Sequence, residues 1–423
     1  MRELESNSRR TRKTREKRAR SIGPYRFLVA AALCGAFMLS CWTRPASLPT
    51  YAARSRVAFG REALDTSELV VVLTWDGVRW QEVMNGIDAQ LERQMSRTPH
   101  LDRSPESLLP NLHRLATSEG VLLGDDAAPI TASSPSTVSL PGYSEIFSGR
   151  SPTCSNNDCP ATEKPTLLDE WQAAHPETPM TIISSWSRTP RAAARDLSPI
   201  AVSAGRAFVV RPDEFCNSAE LCKQFNSGAQ LAPWPGTDDY RPDRATASLA
   251  LTYLQTHHPQ FLFVGLGDTD EYAHRGDYDG YLGALRRADD TLGALHQWLS
   301  EQQRQGHRTL LVVTADHGRS SAFMHHGGAP EAARVWALFA GSVVTARGRL
   351  ITTPRRLADI APTIRSTLGL ASDTNPAAGT SLFPLLSPSE QNGSRLFSYP
   401  EPAKSEVSHQ HSGIISQPEN QKS

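Results

Sequence analysis

The apolar residues of this chain fall into short runs, and three of the runs lead into aspartates. Residues 69–75 read Leu-Val-Val-Val-Leu-Thr-Trp before Asp76, and residues 309–315 read Thr-Leu-Leu-Val-Val-Thr-Ala before Asp316. Residues 261–266, Phe-Leu-Phe-Val-Gly-Leu, open into Gly-Asp-Thr-Asp and then His274. Their length and β-branched content predict strands buried on both faces. Residues 180–184 and 335–339 predict two more. Elsewhere the apolar period is helical, over residues 110–116, 166–174, 244–257 and 357–368. Residues 278–302 place Leu282, Leu285, Leu292, Leu295 and Leu299 on one side of a long amphipathic helix. This alternation predicts an α/β fold, a mostly parallel central sheet flanked by helices on both faces.

In an open parallel sheet, ligands gather where the strands' carboxyl ends line up. Three such ends would bring Asp76, Asp270 and Asp316 together with His274 and His317. Asp270 and His274 stand four apart, so one turn of helix puts both on one face. Carboxylates that close cannot all ionise without cations. Hard oxygens beside imidazoles suit zinc or manganese. A plainer account makes each aspartate the cap of the helix after its strand. Three in succession, two with histidines nearby, favour a metal site.

A second candidate lies upstream. Residues 129–139 are rich in Pro, Ser and Thr, and residues 142–149 read as a short helix. A hydroxyl there sits at a helix N-terminus, where N–H groups and the helix dipole favour phosphate or sulfate. Composition leaves Ser134, Ser136, Thr137 and Ser139 open as the nucleophile.

Composition narrows the setting. With 44 basic and 44 acidic residues the net charge is zero, which argues against a nucleic-acid duplex as partner. Residues 9–20 are mostly basic and residues 27–39 almost wholly apolar, so residues 1–41 read as an export signal or a membrane anchor. Residues 42–62 then form a linker, residues 63–386 the folded domain, and residues 387–423 a polar tail expected to be disordered. Within the domain, residues 191–241 are rich in Pro, Gly and Asp and predict a small loop-rich insertion near the site. Cys154 with Cys159, and Cys216 with Cys222, predict two local disulfides rather than a four-cysteine zinc site. Together these place the protein outside the cytoplasm: periplasmic, membrane-anchored or extracellular.

Four motifs carry a resemblance. Trp75-Asp76-Gly77, Ser139-Leu-Pro-Gly-Tyr143, Asp270-Glu-Tyr-Ala-His274 and Thr314-Ala-Asp-His-Gly318 resemble the metal and nucleophile motifs of the alkaline phosphatase superfamily. Its nucleotide phosphodiesterase, phosphopentomutase and cofactor-independent phosphoglycerate mutase branches are the most similar. The segments 357–364 and 379–383 resemble the close of that domain, so the likeness runs in order from residue 69 to 386. It implies two divalent metal ions, with zinc the first choice and manganese the second. Asp76, Asp316 and His317 fall on one ion; Asp270, His274 and His326 fall on the other, with His325 the competitor for the last place. Ser139 falls on the nucleophile. Gly142 stands where relatives have an Asn that holds phosphoryl oxygens, so Gly142, Arg79 and Arg319 are taken as the substrate-binding positions. Sulfatases of the superfamily carry an Arg where this chain has Tyr143, which argues against that branch.

The expected function is therefore an exported two-metal phosphoric-ester hydrolase, a phosphatase or phosphodiesterase, working through a phosphoserine. Its substrate would be a phosphorylated small molecule or envelope component. The alternatives are a phosphotransferase or mutase of the phosphoglycerate mutase type, and a catalytically degenerate metal-binding envelope protein.

Overall fold

The computed structural model describes residues 68–97, 99–350, 352–387 and 396–397. The predicted export segment, the linker and most of the predicted tail lie outside the described residues. No described helix is long and apolar enough to cross a membrane.

The strand Glu68–Trp75 lies in the middle of the sheet. It pairs in parallel with Phe261–Leu266 on one side and with Arg308–Thr314 on the other. Met180–Ser184 and Ala201–Ala204 continue the parallel order outward. Apart from Glu68 and Arg308 at their starts, consecutive side chains of the three central strands are buried, so both faces of the sheet are covered. That is the physical content of the unbroken Val/Leu runs: a strand with one wet face would alternate. The helix Tyr278–Arg304 packs on the central strands and on the helices Asp243–His257 and Pro110–Ser118. Another group, Leu167–Ala174, Ser139–Ser148 and Ile360–Thr367, packs together.

The periphery departs from the expected pattern. Ala337–Ala340 is antiparallel to both its neighbours, Arg308–Thr314 and Gly120–Leu123. Val335 instead joins a small second sheet with Ile130–Thr131 and Arg355–Arg356. Residues 191–241, expected to be loop-rich, add Ala201–Ala204 and Phe208–Val210 to the main sheet and form the helix Ala219–Gln230. Ala201–Ala204 is completely buried, and its small side chains gave no period to read. Both predicted disulfides, Cys154–Cys159 and Cys216–Cys222, are formed.

Two details set up the site. Asp76 N–H donates to the Leu266 carbonyl at 2.9 Å, which extends the ladder one residue past the strand and fixes Asp76 at the carboxyl edge. The helix Ser139–Ser148 begins three residues before the expected 142, so Ser139 is its first residue. Pro141 hides that start in the sequence. In the first turn of a helix its missing N–H and fixed φ are tolerated.

Candidate active site

Three aspartates and three histidines meet at this edge. Asp76 follows the central strand, Asp316 and His317 follow Arg308–Thr314, and Asp270 and His274 lie on the seven-residue helix Asp268–His274. His326 comes from the loop beyond. All but His274 are buried.

The carboxylates differ in how far protein groups satisfy them. Asp76 Oδ2 accepts from the Tyr143 hydroxyl at 3.0 Å, while Oδ1 faces His317 Nε2 and the Ser139 hydroxyl, each at 3.4 Å. Asp316 Oδ1 accepts from Gly77 N–H at 3.1 Å, and Oδ2 lies 3.5 Å from His317 Nε2. Asp316 Oδ2 is buried with no hydrogen-bond partner among the described residues, an orphaned oxygen beside His317. Such an atom costs about 1–3 kcal/mol unless something satisfies it.

The histidines present lone pairs to the same space. His317 Nδ1–H donates to the Gly318 carbonyl at 2.8 Å, and His326 Nδ1–H donates to the Thr137 carbonyl at 2.8 Å. Each bond fixes the tautomer and leaves Nε2 unprotonated, the form a metal requires. The two rings stack with centroids 3.9 Å apart. His274 Nε2 lies 3.0 Å from His326 Nε2 and 3.1 Å from Asp270 Oδ2.

Charge tells the same story. Burial, then the negative charges of Asp316 and Asp270, push Asp76 well above the usual carboxylate range. Burial, then Asp270, lifts Asp316 to about 7. Burial lowers His317 to about 4 and, with His317 beside it, His326 to about 3. Burial works to raise Asp270 too, but the Arg319 guanidinium, with His274 and His326, outweighs it and holds the carboxyl well below its usual range. Protein groups alone leave two carboxyls, Asp76 and Asp316, that resist ionising and two imidazoles, His317 and His326, that resist protonation. A divalent cation relieves both.

Among the described residues two groupings could each hold a metal: Asp76, Asp316 and His317, and Asp270, His317 and His326. The first is the trio assigned from sequence. In the second, His317 stands with Asp270 and His326, and His274 flanks them within hydrogen-bond distance. Ser139 Oγ, 6% exposed by residue, is 3.2 Å from His317 Nε2 and so borders both groups.

The remaining predicted positions are placed differently. At Gly142 a Cβ would run into the Asp316 backbone carbonyl, so the glycine lets the Ser139 helix lie against that strand end. Arg79 is buried between Glu82 at 3.4 Å and Asp88 at 3.0 Å. Arg319 is buried against Asp270, with Nε donating to the Phe323 carbonyl at 2.5 Å and Nη2 to the Met324 carbonyl at 3.0 Å. Gly77, with φ +65°, makes room above that pair. Both arginines are thus held by ion pairs within the protein.

Sequence reasoning missed the residues that orient the cluster. Tyr143 aims Asp76, and Thr269 Oγ donates to the Asp76 carbonyl at 2.6 Å. Thr137, weighed only as a nucleophile, instead latches His326 from both sides, its hydroxyl donating to the His326 carbonyl at 2.7 Å. Tyr143 had a legible signal, four residues after Ser139 on one helix face.

Residues 237–372 match the Metalloenzyme superfamily. The matched segment contains Asp270, His274, Asp316, His317 and His326, while Asp76 and Ser139 lie upstream of it. A 2,3-bisphosphoglycerate-independent phosphoglycerate mutase from Natronomonas pharaonis is 30% identical over 144 residues, 32% of this chain and 27% of that protein. The chain therefore spans about a quarter of the length of that curated relative. Among solved structures, one from work on glycosaminoglycan metabolism by Bacteroides thetaiotaomicron aligns over 77% of each chain, with 13% identity and a TM-score of 0.50. A protein of the alkaline phosphatase superfamily from Vibrio parahaemolyticus covers 74% of this chain and 69% of its own, at 16% identity and TM-score 0.47. The match agrees with the resemblance read from the two motifs that fall inside it, at residues 270–274 and 314–318.

Proposed function

We propose that this protein is an exported, two-metal phosphoric-ester hydrolase that works through a phosphoserine on Ser139. The observation that carries the reading is the place of Ser139: a buried hydroxyl at the first residue of a helix, bordering two Asp/His groupings that share His317. Asp76, Asp316 and His317 would hold one cation, and Asp270, His326 and His274 the other, zinc suiting this oxygen and imidazole donor set best and manganese next. Cations bound there would lower the pKa of the serine hydroxyl and screen the ester's negative charge. Ser139 Oγ attacks phosphorus in line with the leaving alkoxide, and the P–O ester bond breaks. The leaving oxygen takes a proton, and water then attacks the phosphoserine to release phosphate and restore the hydroxyl. The substrate would be a phosphorylated small molecule or envelope component, reached by a chain whose two disulfides suit an oxidising compartment.

The similarity to a phosphoglycerate mutase over 144 residues supports a second reading, in which a sugar or acid hydroxyl replaces water as acceptor. One experiment separates them. Purified protein is analysed for metal and assayed on phosphate monoesters, diesters and sulfate esters, beside Ser139→Ala. The expected result is phosphate release by the wild type and a loss of more than about a thousand-fold in the variant, whose metal content is unchanged. Near-normal turnover by Ser139→Ala would end the covalent scheme. Transfer to an added hydroxyl without phosphate release would favour the mutase. Cleavage of sulfate esters alone would move the chemistry to sulfuryl transfer, and metal binding without any turnover would leave a degenerate envelope protein.

A further inference from the structure

The helix that carries Ser139 starts without a cap of its own. Val138, at the N-cap, has an extended backbone (φ −121°, ψ 161°) and its side chain makes no capping bond. A capping side chain normally accepts from the second or third N–H of the helix. Here the third residue is Pro141, which has none. Gly142 N–H already donates to the Val138 carbonyl at 3.2 Å. That leaves Leu140 N–H as the inner donor in need of a partner, and it donates to Asn157 Oδ1 at 2.9 Å. Asn157 lies 17 residues further along, inside the loop closed by the Cys154–Cys159 disulfide. The far side of that loop is braced as well. Arg188 Nη1 donates to the Asn157 carbonyl at 2.7 Å and pairs with Asp158, and Arg191 Nη1 reaches the Cys159 carbonyl at 3.5 Å.

We propose that this disulfide-closed loop is a positioning element for the nucleophile. Asn157 caps the Ser139 helix from outside it and so holds the serine at the cluster. The capping scheme consumes Leu140 N–H and leaves Ser139 N–H, which has no partner among the described residues, for an anionic oxygen of the substrate. Asn157 touches neither reacting atom; it acts through the helix start. The disulfide makes the cap persistent, because an open Ser-Asn-Asn-Asp loop would sample many conformations and present its carboxamide only part of the time.

The role of the loop in turnover rests on Ser139 being the nucleophile, whereas the cap does not. The test therefore reads both. Hydrogen exchange of the peptide containing Leu140, bound metal, kcat and KM are measured for the wild type, Asn157→Ala, Asn157→Asp and the double variant Cys154→Ser/Cys159→Ser. In Asn157→Ala, Leu140 exchange should quicken roughly 5- to 10-fold, the range of a lost cap. Its kcat should fall about 10- to 100-fold through misplacement of Ser139, with KM and bound metal unchanged. Asn157→Asp keeps an acceptor for Leu140 N–H, so its exchange and kcat should stay within about 3-fold of wild type, any loss falling on KM. The double cysteine variant should follow Asn157→Ala. Unchanged Leu140 exchange in Asn157→Ala overturns the cap, and faster exchange with full kcat overturns its role in turnover. An Asn157→Asp variant as slow as Asn157→Ala also overturns the proposal, since the carboxamide N–H would then be the working group. If the wild type cleaves no ester, the hydrolase reading falls, and the exchange data still decide the cap.

Discussion

At the scale of single residues, Tyr143 shows how the cluster is aimed. Its ring is buried between Trp186 and Phe263, and its hydroxyl donates to Asp76 Oδ2 at 3.0 Å. Burial, then the charges of Asp76 and Asp316, hold the phenol well above its usual range, so it remains a donor at every working pH. Tyr143→Phe fills the same space and removes only that bond, which to a carboxylate is worth about 1.5–3 kcal/mol. Zinc titration of chelated protein should show roughly 10- to 100-fold weaker binding, or kcat should fall by a similar factor. If both stay unchanged, Asp76 is oriented by something else. The three aspartates of the cluster were legible in sequence because an aspartate closing or following an apolar run is a local pattern. Tyr143 was legible in principle, but a helix taken to start at 142 cut it off from Ser139. Asn157 left no trace, since its contact crosses a loop whose closure only the fold reveals. Arg79 and Arg319 show the opposite failure: a guanidinium near carboxylates reads equally as a substrate clamp or an internal ion pair, and here both are internal.

Among elements, the Ser139–Ser148 helix is the one on which the proposed chemistry turns, because it carries Ser139 to the Asp/His cluster. Gly142 sits where a Cβ would collide with the Asp316 carbonyl. The obstacle is backbone, which cannot swing aside, so Gly142→Ala should push the helix start away from the strand end. Overpacking of this kind costs about 1–3 kcal/mol. A displacement near 1 Å at Ser139 should lower kcat on the order of a hundred-fold. Thermal melts and steady-state kinetics on one preparation check both; full activity would mean that the helix adapts without moving Ser139. The same element explains which parts of the fold could be read in advance. Phe261–Leu266 and Met180–Ser184 match their predicted bounds because unbroken apolar runs define them. Gly120–Leu123 and Ala201–Ala204, four residues each, are too short for any period, and Ile130–Thr131 exists only through pairing with residues far along the chain.

For the molecule as a whole, stability should depend jointly on cation and pH, because the cluster lies against the central strand. In metal-free protein Asp316 titrates at about 7, far above the roughly 3.9 of an unfolded aspartate. The folded state therefore holds a proton that the unfolded state has given up, and this contribution is intact below about pH 4 and lost as pH rises through about 7. Asp76 acts in the same direction. His317 and His326 act oppositely: folded values of about 4 and 3 lie below the roughly 6.5 of a free imidazole, so their contribution is lost as pH falls through those values. A divalent cation needs the carboxylates ionised and the imidazoles neutral, so it binds best on the side where the bare carboxylates are least tolerable. Chelated protein should melt at a lower temperature at pH 8 than at pH 6, and added zinc should reverse this. At a hundred times its dissociation constant the ion contributes about 2.7 kcal/mol, several degrees for a domain of this size. The gain should be larger at pH 8 than at pH 5. Equal melting with and without chelator at pH 8, or a larger gain at pH 5, would mean that these carboxylates and imidazoles do not share a cation.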